Sequence, residues 1–196
     1  MARPNWDDYF MRLAYMAATR ATCSRKHVGA IIVSPDMRVV ATGYNGAPSG
    51  QPSCDEVGHE IYMEHCIRTI HSEANAISFA GHFASGCTIY CTCIPCYDCA
   101  KLIVNAGIAK VVYDEFYPSR YGKSDMVPTF LRAAGLEVVQ YDTIMLAAFK
   151  KMLVDLEKLE DGVLATQLIE YGCGCTKPAP QAKMKCAEHG APRVHE

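Results

Sequence analysis

The stretch from residue 28 to residue 141 alternates short runs rich in β-branched residues with longer helical patterns. Its first two strand-like runs, 28–33 and 39–45, are separated by a Pro-Asp turn, which predicts a hairpin. Three more strands are predicted at 87–93, 110–116 and 136–141, alternating with helices at 72–80, 96–106 and 125–134. A hairpin followed by this alternation predicts an α/β fold, a three-layer α/β/α sandwich with a mixed five-stranded sheet.

Two further helices flank this region. Apolar residues at helical spacing predict a helix over 6–21, and an amphipathic pattern predicts a last helix over 142–160. Residues 46–58 have no regular period and are predicted to form a loop. We expect one domain over residues 1–165 and a flexible C-terminal extension over 166–196, where the regular patterns fade.

Composition argues against several classes of protein. The 196 residues include no apolar run of the ~18 to 20 residues that a membrane span needs. The formal net charge is −2 and there is no dense basic tract, which argues against a nucleic acid as partner. The N-terminus carries acids where a secretory signal would be apolar, so we expect a cytoplasmic protein, in the host cytoplasm if the chain is viral.

Eleven cysteines are many for a chain of this length. Disulfides rarely persist in a reducing compartment, so metal ligation or buried thiols are the favoured interpretations. Cys87, Cys91 and Cys93 alternate along a predicted strand and are expected to be small core residues. We assign no role to the C-terminal set Cys173, Cys175, Cys186 and His189.

Two short motifs stand at predicted helix starts: His71-Ser72-Glu73 and Pro95-Cys96-Tyr97-Asp98-Cys99. One imidazole and two thiolates give three zinc ligands and leave the fourth tetrahedral position open, as a catalytic site requires. The positive end of a helix dipole favours the thiolate forms of Cys96 and Cys99. We therefore predict that His71, Cys96 and Cys99 bind a catalytic Zn²⁺.

Glu73 lies two residues from His71 and can face the same pocket without binding the metal. Zinc can lower the pKa of a bound water from roughly 16 to about 7. One carboxyl can then accept the water proton and deliver it to a ring nitrogen and a departing amine, so Glu73 is the predicted catalytic residue. A Cys-x-x-Cys pair alone could equally be redox-active or a structural zinc knuckle.

These motifs match the general pattern of zinc deaminases, H-x-E followed by P-C-x-x-C. The chain resembles the cytidine and deoxycytidylate deaminase superfamily, and within it the deoxycytidylate deaminases most closely. Three stretches carry the resemblance: Val28-Gly29-Ala30 with Gly43-Tyr44-Asn45-Gly46, residues 65–77, and residues 95–101 with Ala106-Gly107-Ile108. The family usually has alanine between the histidine and the glutamate, where this chain has Ser72.

The resemblance implies hydrolysis of dCMP to dUMP and ammonia by a homo-hexamer. It also implies allosteric activation by dCTP, with Mg²⁺ accompanying the effector, and inhibition by dTTP. A related deaminase acting on dCTP or cytidine is one alternative. A noncatalytic module that binds zinc and nucleotide is another, although the presence of Glu73 argues against it.

The resemblance also suggests how the substrate is held. Asn45 matches a substrate-contacting asparagine of the superfamily, although it could merely shape a Tyr-Asn-Gly turn. Ser24 and Arg25 follow the first helix, where they could bind the phosphate of a nucleotide or form a solvated basic turn.

Further nucleotide contacts are expected at two other places. Tyr117 and Arg120 follow a predicted strand end, where ligand loops gather in sheet proteins of this type. Tyr117 could close over the base or simply pack at the rim, and Arg120 could lie near a phosphate. Tyr44 and Gly46 are implied contacts of the allosteric nucleotide.

A second, structural zinc is bound by several relatives in the segment before the histidine motif. The candidate ligands here are Cys23, Cys54, His59, His65 and Cys66, of which four could close a tetrahedral site. We expect Cys23 and Cys54, joined by His65 and by either His59 or Cys66. Separate buried thiols and surface histidines are the alternative.

Overall fold

The computed structural model describes residues 3–116, 126–142, 144–162, 168–170 and 176–178. The chain divides into two compact units, Met1–Leu146 and Ala147–Glu196. In chain order the elements are α1 (Trp6–Ala18), β1 (Gly29–Val33), β2 (Val39–Tyr44), α2 (Cys54–Val57), β3 (Ile61–Tyr62), β4 (His65–Cys66), α3 (Ser72–Ala80), β5 (Thr88–Cys93), α4 (Tyr97–Asn105), β6 (Lys110–Glu115), α5 (Met126–Ala133), β7 (Glu137–Gln140), α6 (Ile144–Gly162), β8 (Leu168–Glu170) and β9 (Thr176–Pro178), with a 3-10 turn at Gly81–Ala84.

A five-stranded sheet in the order β2-β1-β5-β6-β7 forms the centre of the first unit. β1 runs antiparallel to both β2 and β5, so Ile31 lies opposite Thr42 on one side and Tyr90 on the other. β5, β6 and β7 are parallel to one another. The helices between them act as crossovers, as parallel strands require. The predicted mixed five-stranded sheet is confirmed.

Helices cover both faces of this sheet and complete the predicted α/β/α sandwich. On one face, Phe10 and Met11 of α1 pack in a cluster with Ile31 of β1. On the other face a larger cluster contains Ile32 of β1 together with residues of α3, α4 and α5. All five residues of β1 are buried, as expected for a central strand that is covered on both faces.

Two glycines allow helices to approach the sheet closely. A side chain at Gly29 would overlap the backbone of Ala14 in α1, and one at Gly43 would overlap the backbone of Ser72 in α3. Neither glycine has a positive φ angle, so the requirement is space and not backbone conformation. The contact at Gly43 matters for function because α3 begins immediately after His71.

The segment between β2 and α3 departs from the sequence prediction. Residues 46–58, predicted as a loop, contain the short helix α2, which has a complete capping box between Ser53 and Glu56. The following hairpin of β3 and β4, which we call the 61–66 hairpin, was not predicted, because two residues per strand are too few to show an alternating pattern.

The second unit comprises the part of α6 from residue 147 onward and an antiparallel pair of β8 with β9. α6 agrees with the predicted last helix. The proposed boundary at residue 165 and the flexibility of the extension stay predictions, and Cys173, Cys175, Cys186 and His189 lie outside the described residues. Across the described ranges, no helix has both the length and the apolar character to cross a bilayer. The cytoplasmic location stays a prediction.

Candidate active site

The structure brings His71, Cys96 and Cys99 together, a set we call the first metal group. His71 is the N-cap of α3 and Cys96 is the N-cap of α4, so the group lies between two helix starts. The His71 Nδ1 atom is 3.4 Å from the Cys96 sulfur and 3.5 Å from the Cys99 sulfur. A tetrahedral zinc with ordinary bond lengths separates such ligand atoms by about 3.6 Å, so these three residues fit zinc.

The two thiols of this group differ in how readily they lose a proton. The hydrogen bond from Cys99, together with His71, lowers the pKa of Cys96 to about 4 against the opposing effect of burial. The same hydrogen bond and burial raise the pKa of Cys99. A metal ion displaces protons from coordinating thiols, so both sulfurs would bind zinc as thiolates.

Glu73 lies beside the first metal group and is buried, with 4% of its surface exposed. Burial raises the pKa of its carboxyl, against a lowering by the charge of His71. The Ser72 hydroxyl donates a 3.0 Å hydrogen bond to Oε2 of Glu73 and holds one carboxyl oxygen. A buried carboxyl with a raised pKa is suited to carrying a proton in both directions.

A pocket of about 440 Å³ opens over these residues, within the usual range for a small-molecule site. Glu73 and the first metal group line it, together with residues from the chain before β1 and from the 61–66 hairpin. Arg25 and Lys26 are on its wall. The lining of one pocket therefore carries metal ligands, a carboxylate and two cations.

Asn45 lines the same pocket, but its side chain already makes two hydrogen bonds. Its Oδ1 accepts from the backbone N–H of Val28 at 2.7 Å, and its Nδ2 donates to the carbonyl of Lys26 at 2.9 Å. An amide has one further donor and one further acceptor site, so contact with a sugar hydroxyl stays compatible with this geometry. The structure thus gives Asn45 a structural task beside its predicted substrate contact.

The residues just before β1 form the 23–28 loop, which holds two of the predicted phosphate ligands, Ser24 and Arg25. The Ser24 hydroxyl lies 3.3 Å from the His59 ring, and the Arg25 guanidinium donates to the Glu64 carbonyl at 2.7 Å. Lys26 forms a 3.0 Å ion pair with Glu115 at the end of β6. Lys26 belongs to the same basic segment of the sequence as Ser24 and Arg25, but only those two were predicted as site residues.

A second cluster of metal-binding side chains includes the first residue of this loop. Its members, which we call the second metal group, are Cys23, Cys54, His59 and Cys66. The Cys54 and Cys66 sulfurs are 3.5 Å apart, and the Cys23 sulfur is 3.6 Å from Nδ1 of His59. Tetrahedral zinc separates two sulfurs by about 3.8 Å and a sulfur and a nitrogen by about 3.6 Å, so the set fits the metal.

The members of this group differ from the predicted ligand set, which included His65. The structure brings both His59 and Cys66 into the group and leaves out His65, although His65 and Cys66 both line the pocket. His65 and Cys66 are neighbours on β4, and adjacent side chains of a strand point to opposite faces. Only one of the two can therefore face the group.

The remaining predicted residues fall in three places. Tyr44 and Gly46 lie at the end of β2, where the Gly46 backbone pairs with that of Ile70. Tyr117 and Arg120 lie outside the described residues. Cys87 and Cys91 are in the core as expected, whereas Cys93 is buried but lines the pocket beside Glu73.

A mixed sheet with helices on both faces, and a His-x-Glu and a Cys-x-x-Cys motif at two helix starts, defines the class of zinc-dependent deaminases. Residues 4–115 match the family described as the cytidine and deoxycytidylate deaminase zinc-binding region. The chain belongs to this family.

Individual relatives agree with this assignment. ComE operon protein 2 of Bacillus subtilis (strain 168) is 38% identical over 163 residues, 82% of this chain and 80% of that protein. The deoxycytidylate deaminase of Saccharomyces cerevisiae is 41% identical over 127 residues, 60% of this chain, which spans only 40% of the yeast protein. The structure of dCMP deaminase from the cyanophage S-TIM5, in complex with dCMP and dUMP, aligns with a TM-score of 0.59 at 30% identity, over 72% of this chain and all 100% of that one.

Proposed function

We propose that this protein hydrolyses dCMP to dUMP and ammonia. The observation that carries the proposal is the first metal group, whose three ligand atoms have the spacing of a zinc site, with the buried Glu73 on the wall of the same pocket. The names of the yeast and cyanophage relatives support dCMP as the substrate.

The reaction needs a nucleophile, a proton carrier and a fixed cytosine ring. Zinc held by the first metal group would supply an activated water at neutral pH. Glu73 would take one proton from the attacking water and deliver it to N3 of the ring. Once the C4–O bond has formed, Glu73 would take the proton of the new hydroxyl and deliver it to the amine, so that the C4–N bond breaks and ammonia leaves. Water and dCMP thus give dUMP and ammonia with no net change in protons. Ser72 keeps one oxygen of Glu73 in place throughout.

The cations on the pocket wall support a substrate that carries a phosphate. Arg25 has four further N–H donors beyond the one that it gives to Glu64, and guanidinium groups bind phosphate in a bidentate manner. Lys26 adds a second positive charge on the same wall, although Glu115 partly offsets it. Asn45 would contact the sugar hydroxyl between the phosphate and the base.

A panel of substrates tests the proposal directly. Purified, zinc-loaded protein is incubated with dCMP, dCTP, cytidine and adenosine, and the release of ammonia is measured. We expect dCMP to be turned over with the highest kcat/KM. A preference for dCTP or cytidine would show that the protein is a related deaminase with another substrate. Turnover of none of the four compounds would contradict the proposal that the protein is an enzyme.

We further propose a structural zinc in the second metal group. The spacing of its four side chains supports this zinc site. The lowered pKa of Cys66 supports it too: the backbone N–H of Arg68 and the thiol of Cys54 lower that pKa to about 7, against the effect of burial. Metal analysis is expected to give close to two zinc ions per chain. A value of one would remove the structural zinc.

We also propose that dCTP, together with Mg²⁺, activates and dTTP inhibits a homo-hexamer, with Tyr44 and Gly46 in the effector site. Two contacts support a link from that site to the first metal group. The Gly46 backbone exchanges hydrogen bonds with Ile70, the residue before His71, and the Asn75 side chain donates to the Tyr44 carbonyl at 2.7 Å. Rates and light scattering measured with each nucleotide test both the sign of regulation and the size of the oligomer.

A further inference from the structure

We propose that the second metal group is a positioning device for substrate selection: by fixing the 61–66 hairpin against the 23–28 loop, it holds Arg25 at the pocket and favours nucleotides that carry a phosphate. This inference rests on the proposed deamination of dCMP. It assigns the group a task in substrate recognition beyond a purely structural one.

The 61–66 hairpin needs support from outside itself. Each of its strands has two residues, and an isolated hairpin of this size is not stable in water. Its turn residues Met63 and Glu64 have φ angles of 46° and 64°. This is a left-handed backbone conformation, which residues other than glycine, asparagine and aspartate rarely adopt. His59 and Cys66 of the second metal group lie on either side of this turn, so metal bound there closes the hairpin at its base.

The tip of the hairpin holds Arg25. The strained Glu64 presents its backbone carbonyl to the guanidinium at 2.7 Å. The next residue back in the loop, Ser24, lies 3.3 Å from Nε2 of His59, and Cys23 is itself a member of the second metal group. Three successive residues of the loop therefore depend on the hairpin or on the metal group.

The other half of the loop depends on the sheet. Asn45 holds the Lys26 carbonyl and the Val28 N–H, and Glu115 at the end of β6 holds the Lys26 ammonium group. These contacts do not involve the hairpin. Loss of the second metal group therefore frees Arg25 while the walls around the base and the sugar keep their supports.

This separation predicts a selective effect. A group that only stabilised the fold would, when removed, lower the fraction of folded protein and reduce turnover of every substrate alike. A group that positions Arg25 would reduce turnover of dCMP and leave deoxycytidine, which has no phosphate, nearly unchanged. The ratio of the two kcat/KM values distinguishes the two roles.

The test uses substitutions at His59, which is exposed and whose removal leaves no core cavity. His59→Ala removes a ligand, and His59→Cys replaces it with another zinc ligand. His82→Ala, an exposed histidine on the 3-10 turn, and Cys87→Ser, a buried thiol outside both metal groups, are the controls. For each protein we would measure zinc per chain, the dissociation constants of dUMP and deoxyuridine, and kcat/KM for dCMP and deoxycytidine.

We expect His59→Ala to lose about one zinc and to lower the dCMP to deoxycytidine ratio about tenfold, the effect of one misplaced charge-assisted hydrogen bond. Binding of dUMP should weaken by the same factor and binding of deoxyuridine should not. His59→Cys should keep both zinc ions and the ratio, as should the two controls. A His59→Ala protein that loses its zinc but keeps the ratio would overturn the inference, and so would a His59→Cys protein that keeps both ions but loses it.

A double-mutant cycle with Arg25→Ala shows whether the effect passes through this side chain. We expect Arg25→Ala alone to lower the ratio at least as much as His59→Ala, and the double variant to lower it no further. Additive losses would overturn the inference. A wild-type protein that turns over no dCMP would contradict the proposed function as well, whereas unchanged ratios in an active enzyme would contradict only the positioning role.

Discussion

At the scale of single residues, the contact between Ser72 and Glu73 places a hydroxyl beside the proposed proton carrier. The Ser72 side chain is fully buried, and its hydroxyl spans 3.0 Å to the carboxylate, so this residue lies within reach of the chemistry. Alanine at position 72 would leave that carboxyl oxygen without this donor.

Replacing Glu73 tests the assignment of the proton carrier. Glu73→Gln should lower kcat by about a thousandfold, since positioned acids and bases contribute about 10² to 10⁴ in rate. Zinc content should not change, because Glu73 is not in the first metal group. Glu137→Gln, at an exposed strand end where the side chain pairs with Lys110, is the matched control. Activity near the wild-type rate in Glu73→Gln would refute the mechanism.

Replacing Ser72 tests how much its hydroxyl contributes to catalysis by positioning Glu73. We expect Ser72→Ala to lower kcat for dCMP by about two- to tenfold, the value of one hydrogen bond, with KM and zinc content unchanged. Ser78→Ala, an exposed serine on the same helix, should have no effect. An unchanged kcat in Ser72→Ala would mean that the hydroxyl does not position the carboxylate.

At the scale of elements, the site depends on how closely α3 packs on β2. The helix carries Glu73 and starts at His71, and its distance from the sheet is set by the absence of a side chain at Gly43. The corresponding contact of α1 at Gly29 has the same geometry but does not involve a metal ligand. The two glycines therefore form a natural comparison.

Alanine at either glycine should destabilise the fold by about 1 to 3 kcal/mol, the usual cost of overpacking, as measured by urea denaturation. Only Gly43→Ala should also weaken zinc binding and lower kcat in the fraction that remains folded, since it displaces α3. Equal losses of kcat in both variants would show that the distance between α3 and β2 has no specific effect on the active site.

At the scale of the whole molecule, the periodic part of the chain was predictable and the irregular part was not. The five strands of the sheet and the helices between them follow from hydrophobic periodicity, and the first metal group follows from motifs at the helix starts. Spacing alone could not choose between His59, His65 and Cys66, because their directions depend on a hairpin too short to have a period. The contacts of Asn45 with the 23–28 loop are also tertiary and leave no local pattern.

Metal binding should contribute to the stability of the whole molecule. A ligand at one hundred times its dissociation constant stabilises the state that binds it by about 2.7 kcal/mol. We therefore expect a chelator to lower the urea midpoint of unfolding and added zinc to restore it. A midpoint that does not depend on zinc would contradict the presence of metal in the native protein.

The two metal groups depend on different parts of the sheet. The second metal group lies wholly before β5, whereas the ligands of the first lie on either side of this strand, which pairs with β1. When β5 leaves its place, the first group is dispersed, whereas the β1–β2 hairpin, which joins Cys23 to the other three ligands of the second group, does not need β5 in order to pair. Damage by heat or by denaturant should thus release the ions in sequence, and a preparation that retains half of its zinc can be wholly inactive.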